Sequence, residues 1–88
     1  MDAKRTKTDI WRTILETLER EPHGKTAILY RAELSHRQGS SYLSELTTGG
    51  AITMQSHGTS VRYSITPKGI ELLGTIRAMQ RFRDGFGF

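Results

Sequence analysis

The chain has 88 residues, no cysteine, and 13 Lys and Arg against nine Asp and Glu, for a formal charge of +4. That length allows one small domain, the lack of cysteine excludes disulfides, thiol nucleophiles and thiolate metal sites, and the basic balance favours polyanionic partners. No apolar run approaches the roughly 18 residues needed to cross a bilayer, and the polar N-terminus has no signal-peptide core behind it, so a soluble cytoplasmic protein is expected.

Residues 1–7, with Lys4, Arg5 and Lys7, read as a flexible basic arm, or as a merely solubilising terminus. Ile10, Trp11, Ile14, Leu15 and Leu18 then fall on one face of a helix, which predicts a first helix over 8–20 with Trp11 as a core anchor. Pro22 and Gly24 end it. A short second helix over 25–34 turns Ile28, Leu29 and Ala32 inward. Ser35 followed by Gln38 has the form of a capping box, and a third helix is expected to start at Ser35, run to Thr48 and stop at Gly49-Gly50. So tight a connection between the second and third helices predicts a helix-turn-helix corner.

Residues 51–55 and 61–65 alternate apolar with polar, the pattern of half-buried strands, and Ser56 to Ser60 between them supply turn chemistry, so a β-hairpin with an exposed tip is expected. Thr66-Pro67 reads as an N-cap and first helical residue of a fourth helix over 67–84, with Leu72, Leu73, Ile76 and Met79 sharing a face, its first half expected on the core and its second half on a partner, and 85–88 as a tail. Three helices, a hairpin and a helix make a mainly α single domain with a β-hairpin wing, the winged helix-turn-helix arrangement.

If Gly39, Tyr42, Leu43 and Leu46 face inward, the third helix shows Arg37, Ser41, Ser44 and Thr48 to solvent, with His36, Ser40 and Glu45 beside them. A slim polar face carrying hydroxyls and an Arg suits a major groove about 12 Å wide; an ordinary solvated surface is the alternative. His57, Thr59 and Arg62 on the wing suit phosphate or minor-groove contact, and Lys25 and Arg31 on the second helix suit the backbone, each with plain surface charge as the competing explanation. His23, His36 and His57 lie in three separate segments, so no metal site is expected. Nor do paired carboxylates, a nucleophile elbow or a phosphate-cradling glycine loop occur, so neither an enzyme nor a cofactor is expected.

The run Ala32-Glu33-Leu34-Ser35-His36-Arg37-Gln38, then Tyr42-Leu43, Leu46, Gly50 and Ile52, and finally Thr66-Pro67-Lys68-Gly69, resembles a family of small archaeal winged-helix DNA-binding regulators. The resemblance covers about residues 4–80. It implies binding to double-stranded DNA, a role in transcription or in chromatin-like packaging at the nucleoid, and homodimers paired through the C-terminal helix, here by Leu72, Ile76, Met79 and Phe82. Independently, Leu72, Ile76, Met79 and Arg83 follow the spacing of a coiled-coil seam. Two departures stand out: Gly39 occupies a position where such proteins usually carry a large aliphatic residue, and Ala51 one where they usually carry Leu. Both imply lighter packing beneath the third helix. The expectation is a dimeric, sequence-specific DNA-binding regulator. The alternatives are a winged-helix adaptor that binds protein and an architectural protein indifferent to sequence.

Overall fold

The computed structural model describes residues 5–86, in the order α1 (Lys7–Arg20), α2 (Lys25–Ala32), α3 (His36–Thr48), β1 (Ile52–His57), β2 (Ser60–Ile65) and α4 (Pro67–Gly85). α1 begins one residue earlier than the apolar pattern indicates, because Thr6 and Asp9 form a reciprocal capping box: Asp9 N–H donates to Thr6 Oγ1 at 3.2 Å and Thr6 N–H to Asp9 Oδ2 at 2.9 Å. α2 is shorter than expected. It ends at Ala32, where Glu33 takes a left-handed conformation with φ 53° and Leu34 N–H reaches back to the Leu29 carbonyl at 3.0 Å, a Schellman closure. α3 begins where the capping box indicates, with Gln38 N–H on Ser35 Oγ at 3.1 Å.

The hairpin is longer than the alternation suggests. Its strands pair from Ile52 with Ile65 out to His57 with Ser60, leaving a two-residue turn at Gly58-Thr59. Gly58 has φ 65° whereas Thr59 has a negative φ, the combination a type II′ hairpin requires. Only the base is covered: Ile52 is buried, but Met54 is 54% and Val61 41% exposed. The expected half-burial therefore holds only at the base, because a two-stranded sheet projecting from the domain has nothing stacked on its outer length. His23 adds one bridge to Tyr63, through N–H···O contacts of 3.1 and 2.8 Å, which ties the α1–α2 loop to β2.

Thr66 knots the wing to α4. Its hydroxyl donates to the Gly50 carbonyl at 2.6 Å and accepts from Gly69 N–H at 3.0 Å, while its own N–H donates to the Ala51 carbonyl at 3.0 Å. A Cβ on Gly69 would run into that same Ala51 carbonyl oxygen and lie 2.7 Å from Ile65 Cγ1. The Thr-Pro-Lys-Gly sequence is thus a cap plus a close approach that a side chain would block.

The core gathers Ile10, Ile14, Leu15 and Leu18 of α1, Ile28 and Leu29 of α2, Leu43 and Leu46 of α3, and Leu73 and Ile76 of α4. Gly39 does not leave the packing light. Leu29 fills the space beside it, so closely that a Cβ there would overlap the leucine side chain. In α4 the inner face is Gly69, Leu73, Ile76 and Gln80, while Met79, which shares a face with Leu73 and Ile76 in the sequence pattern, is 59% exposed. Gln80 is admitted because both ends of its amide are used: Nε2 donates to Asp9 Oδ1 at 2.9 Å and Oε1 accepts from Arg12. Ile76, placed in the dimer seam by sequence, is 3% exposed in the chain's own core and has no surface left for a partner; Leu72 is half-buried against the same core. The helix also continues through Gly85 with Phe86 as its C-cap, so of the expected tail only Gly87 and Phe88 lie beyond it, outside the described residues.

Beside Gln80, Arg77 reaches Glu16 and Glu19 on α1, at 3.0 Å each, and Arg12 reaches Glu16 at 3.0 Å. Desolvation works against ionisation of Glu16, but the hydrogen bonds and charges of Arg12 and Arg77 outweigh it and hold the carboxyl below its ordinary value. Asp9 is held low chiefly by the Thr6 backbone N–H, and Glu19 by Arg77.

Two outcomes follow from this packing. Gly69→Ala is expected to cost about 2 kcal/mol or more in urea denaturation, since the obstacle is a bonded backbone carbonyl rather than a movable side chain; a neutral result would mean the approach is looser than drawn. Carboxyls depressed in the fold contribute stability that is complete above their unfolded values of about 4 and drains away as the pH falls below them. The urea midpoint should therefore hold from pH 7 to about 5 and then drop, and Glu16→Gln should flatten the drop.

Candidate nucleic-acid interface

The inward side of α3 is as its sequence suggests: Gly39, Leu43 and Leu46 are buried and Tyr42 is half-buried against the core. The opposite side carries Arg37, Ser40, Ser41, Ser44 and Thr48, all exposed, with His36 exposed at the first turn. No large apolar side chain interrupts it. Among the described residues Arg37 makes no ion pair and Ser41 and Ser44 no side-chain hydrogen bond, so their polar groups face solvent.

One flank of this face opens into a cleft of about 280 Å³ against the wing. Lys25, at the start of α2, donates its ammonium to Ser40 Oγ there, and Ser44, Thr47 and Thr48 supply further hydroxyls. The other wall is Met54 and Tyr63, which face each other across the hairpin. Thr47, Met54 and Tyr63 do not stand out as site residues in the sequence. The available signal was the apolar alternation of a hairpin with no second sheet to cover it, which leaves one apolar wing face to wall a cleft.

The other expected contacts are more dispersed. Gln55 pairs with Arg62 and His57 with Ser60, one and three register steps from the Met54–Tyr63 pair, so Arg62 and His57 occupy the opposite, polar face of the wing, with Thr59 at the tip. All three are exposed. Arg31 lines a different cleft with Glu16, Arg20, Glu21 and His23, to which α3 contributes nothing, because its position on α2 turns it towards the end of α1.

The second flank of α3 is braced. Glu45 accepts from Lys7 Nζ at 2.9 Å and from the Trp11 indole N–H at 3.2 Å, and the ammonium stands 5.9 Å from the indole centroid. The Lys7 hydrogen bond is the main reason that the Glu45 carboxyl lies below its ordinary value, and Glu45 in turn raises Lys7. Trp11 is half-buried against the core, as expected of an anchor, but also fixes this acid. Arg5 donates to the carbonyls of Ala32 and Glu33, the latter at 3.0 Å, and so holds the end of α2 that turns into α3. Arg5 and Lys7 are therefore engaged with the domain rather than free as an arm, because open carbonyls and a carboxylate lie within their reach; Lys4 falls outside the described residues. Among the described residues no cluster of three or more His, Cys, Asp or Glu could hold a metal ion, and no helix is long and apolar enough to cross a membrane.

With this geometry in hand, comparison with known proteins is specific. The profile of a family described as winged helix-turn-helix matches residues 4–84. Among solved structures, Sso10a-2, a DNA-binding protein from Sulfolobus solfataricus, superposes with a TM-score of 0.86 at 27% identity, covering 93% of this chain and 85% of that one. The transcriptional regulator BldR from the same organism gives 0.77 at 18% identity over 89% of this chain and 60% of that one, so the present chain spans rather more than half of it. A homodimeric winged helix-turn-helix DNA-binding domain, Mb0332 from Mycobacterium bovis, gives 0.65 at 21% identity over 85% and 68% of the two chains. The latter two speak for the fold alone. No curated protein matches in sequence.

Proposed function

The chain belongs to the winged helix-turn-helix family, and from that membership we propose that it binds double-stranded DNA sequence-specifically, as a homodimer, to regulate transcription. The observation that carries this is the outward face of α3, where Arg37, Ser41 and Ser44 stand exposed with no side-chain partner among the described residues and Ser40 is met only by Lys25. An Arg at the first turn of a helix lying in the major groove can reach guanine O6 and N7, while serine hydroxyls serve phosphates or base edges. Lys25, beside that helix, and the exposed wing residues His57, Thr59 and Arg62 are assigned to phosphate and minor-groove contact. Arg31, turned towards α1, would at most reach the backbone from the side.

Pairing is assigned to the C-terminal half of α4, where Met79 is 59% and Phe82 62% exposed on a helix that runs on past the core. Unmatched apolar side chains of this size on one helix are a cost that a partner removes. The Mycobacterium bovis domain, which has this fold, is itself homodimeric. Two reading helices related by a dyad would meet half-sites about 34 Å apart along the duplex.

If each protomer neutralises about four phosphates, the log–log dependence of affinity on salt should have a slope of roughly −7. Arg37→Ala should lower affinity for a site selected from random duplex by about 1–3 kcal/mol and relax base preference, whereas Lys25→Ala should weaken all sequences alike. Equal losses on selected and random duplex would reduce Arg37 to a phosphate contact and favour an architectural role; a slope near zero would point to a protein-binding adaptor. Sedimentation of Met79→Glu should show a monomer where the unmodified chain is a dimer, and an unchanged mass would put the seam elsewhere.

A further inference from the structure

An apolar groove of about 290 Å³ lies between α1, the end of α3 and the first half of α4, walled by Trp11, Leu46, Ala51, Leu72 and Thr75. That is the small end of what ligand pockets enclose, about 300–1,000 Å³. The one polar atom of Trp11, its indole nitrogen, is already engaged, donating to Glu45 at 3.2 Å. The Glu45 carboxylate, which also borders the groove, is met in turn by Lys7 at 2.9 Å. These groups therefore leave an occupant only apolar surface to cover.

Two further charges border the groove and are not met. Lys68 and Glu71 stand three residues apart on α4, neighbours on one helix face, yet neither makes an ion pair among the described residues. The Lys68 stem lies over Gly50 at the end of α3, where a Cβ would be 3.4 Å from its Cδ and 3.8 Å from its Nζ. A cation and an anion beside an apolar recess define what fits: a carboxylate for Lys68, an ammonium for Glu71 and an apolar group for the recess. An α-amino acid with a branched aliphatic or aromatic side chain carries all three on one carbon. A plain apolar acid would set its carboxylate beside Glu71, and a plain apolar amine its ammonium beside Lys68, with nothing to offset either like-charge contact.

We propose that the groove binds one free α-amino acid with a large apolar side chain, seated between Trp11 and Leu72, with its carboxylate on Lys68 and its ammonium on Glu71. The site reaches the reading helix, because Glu45 and Leu46 of α3 and its C-cap Gly49 also border it. An occupant packed on Leu46, and on the indole that holds Glu45, favours the placement of α3 seen here. It then strengthens duplex binding by the same factor by which duplex strengthens its own. That coupling rests on the DNA-binding reading; occupancy of the groove does not.

Occupancy is read on the protein without DNA, by the emission of Trp11, the single tryptophan, and by ¹⁵N–¹H spectra. L-phenylalanine is expected to shift that emission and to move the signals of the Trp11 indole, Leu46, Gly49 and Thr75, saturating with a dissociation constant of about 1 mM or tighter, within reach of so small a ligand. Phenylpropionate, which lacks the ammonium, and phenethylamine, which lacks the carboxylate, should each bind about fivefold or more weakly, as should L-phenylalanine to Lys68→Met and to Glu71→Gln. Both side chains are exposed, so the circular dichroism of the two variants should match that of the unmodified chain. Phenylpropionate binding as well as L-phenylalanine, or L-phenylalanine binding Glu71→Gln undiminished, would overturn the amino-acid assignment. Signals unmoved by L-phenylalanine and L-leucine alike would overturn the site. An L-phenylalanine affinity that bound duplex leaves unchanged would overturn the coupling, whereas a protein that binds no duplex would overturn the DNA reading and leave the titration as it stands.

Discussion

The close approach of α4 to the Ala51 carbonyl is the constraint on which the other placements depend. Ala51 follows the end of α3 and precedes β1, so fixing its carbonyl against Gly69 and Thr66 fixes the end of the reading helix, the base of the wing and the start of α4 together. The width of the cleft between α3 and the wing is set there. So is the angle at which α4 leaves to pack on α1. A carbonyl held between an N–H and a bare Cα has little room to move, which is why a small domain with a thin apolar core can still present two elements in fixed relation.

Charge is sorted across the molecule in a way that suits a polyanion. Asp9, Glu16, Glu19 and Glu45 are each engaged by hydrogen-bond donors from α1 or α4 or from the chain just before α1, and all four carboxyls are held below their ordinary values. Glu45, the acid on α3 itself, is drawn to the flank by Lys7 and Trp11. Arg37 keeps its charge unpaired among the described residues, and Lys25 gives its ammonium only to a neutral hydroxyl.

α4 serves two neighbours with two faces. Small and aliphatic residues with one satisfied amide face the domain, and a heptad-spaced stripe faces away from it. The two faces differ by a fraction of a turn, and hydrophobicity alone does not point to Gln80 as an interior residue. Asp9 and Arg12 make it one by satisfying both ends of its amide, which removes the penalty for burying a polar group.

Element order, the start and stop of α3 and the polar character of its outer face were legible in the chain, because caps, glycine stops and a 3.6-residue period are local interactions between neighbours in sequence. The Ser35–Gln38 box and the Thr66-Pro67 start are where the sequence places them. What the sequence could not decide were contacts between residues far apart along it: Leu29 filling the space left by Gly39, Arg5 on the end of α2, Glu45 drawn to α1, Arg31 turned towards α1, and Ile76 in the core rather than in a seam between two copies. Each depends on the distance and orientation between two packed elements. Periodicity says which way a side chain points around its own axis, and only the assembled tertiary structure says what is waiting there.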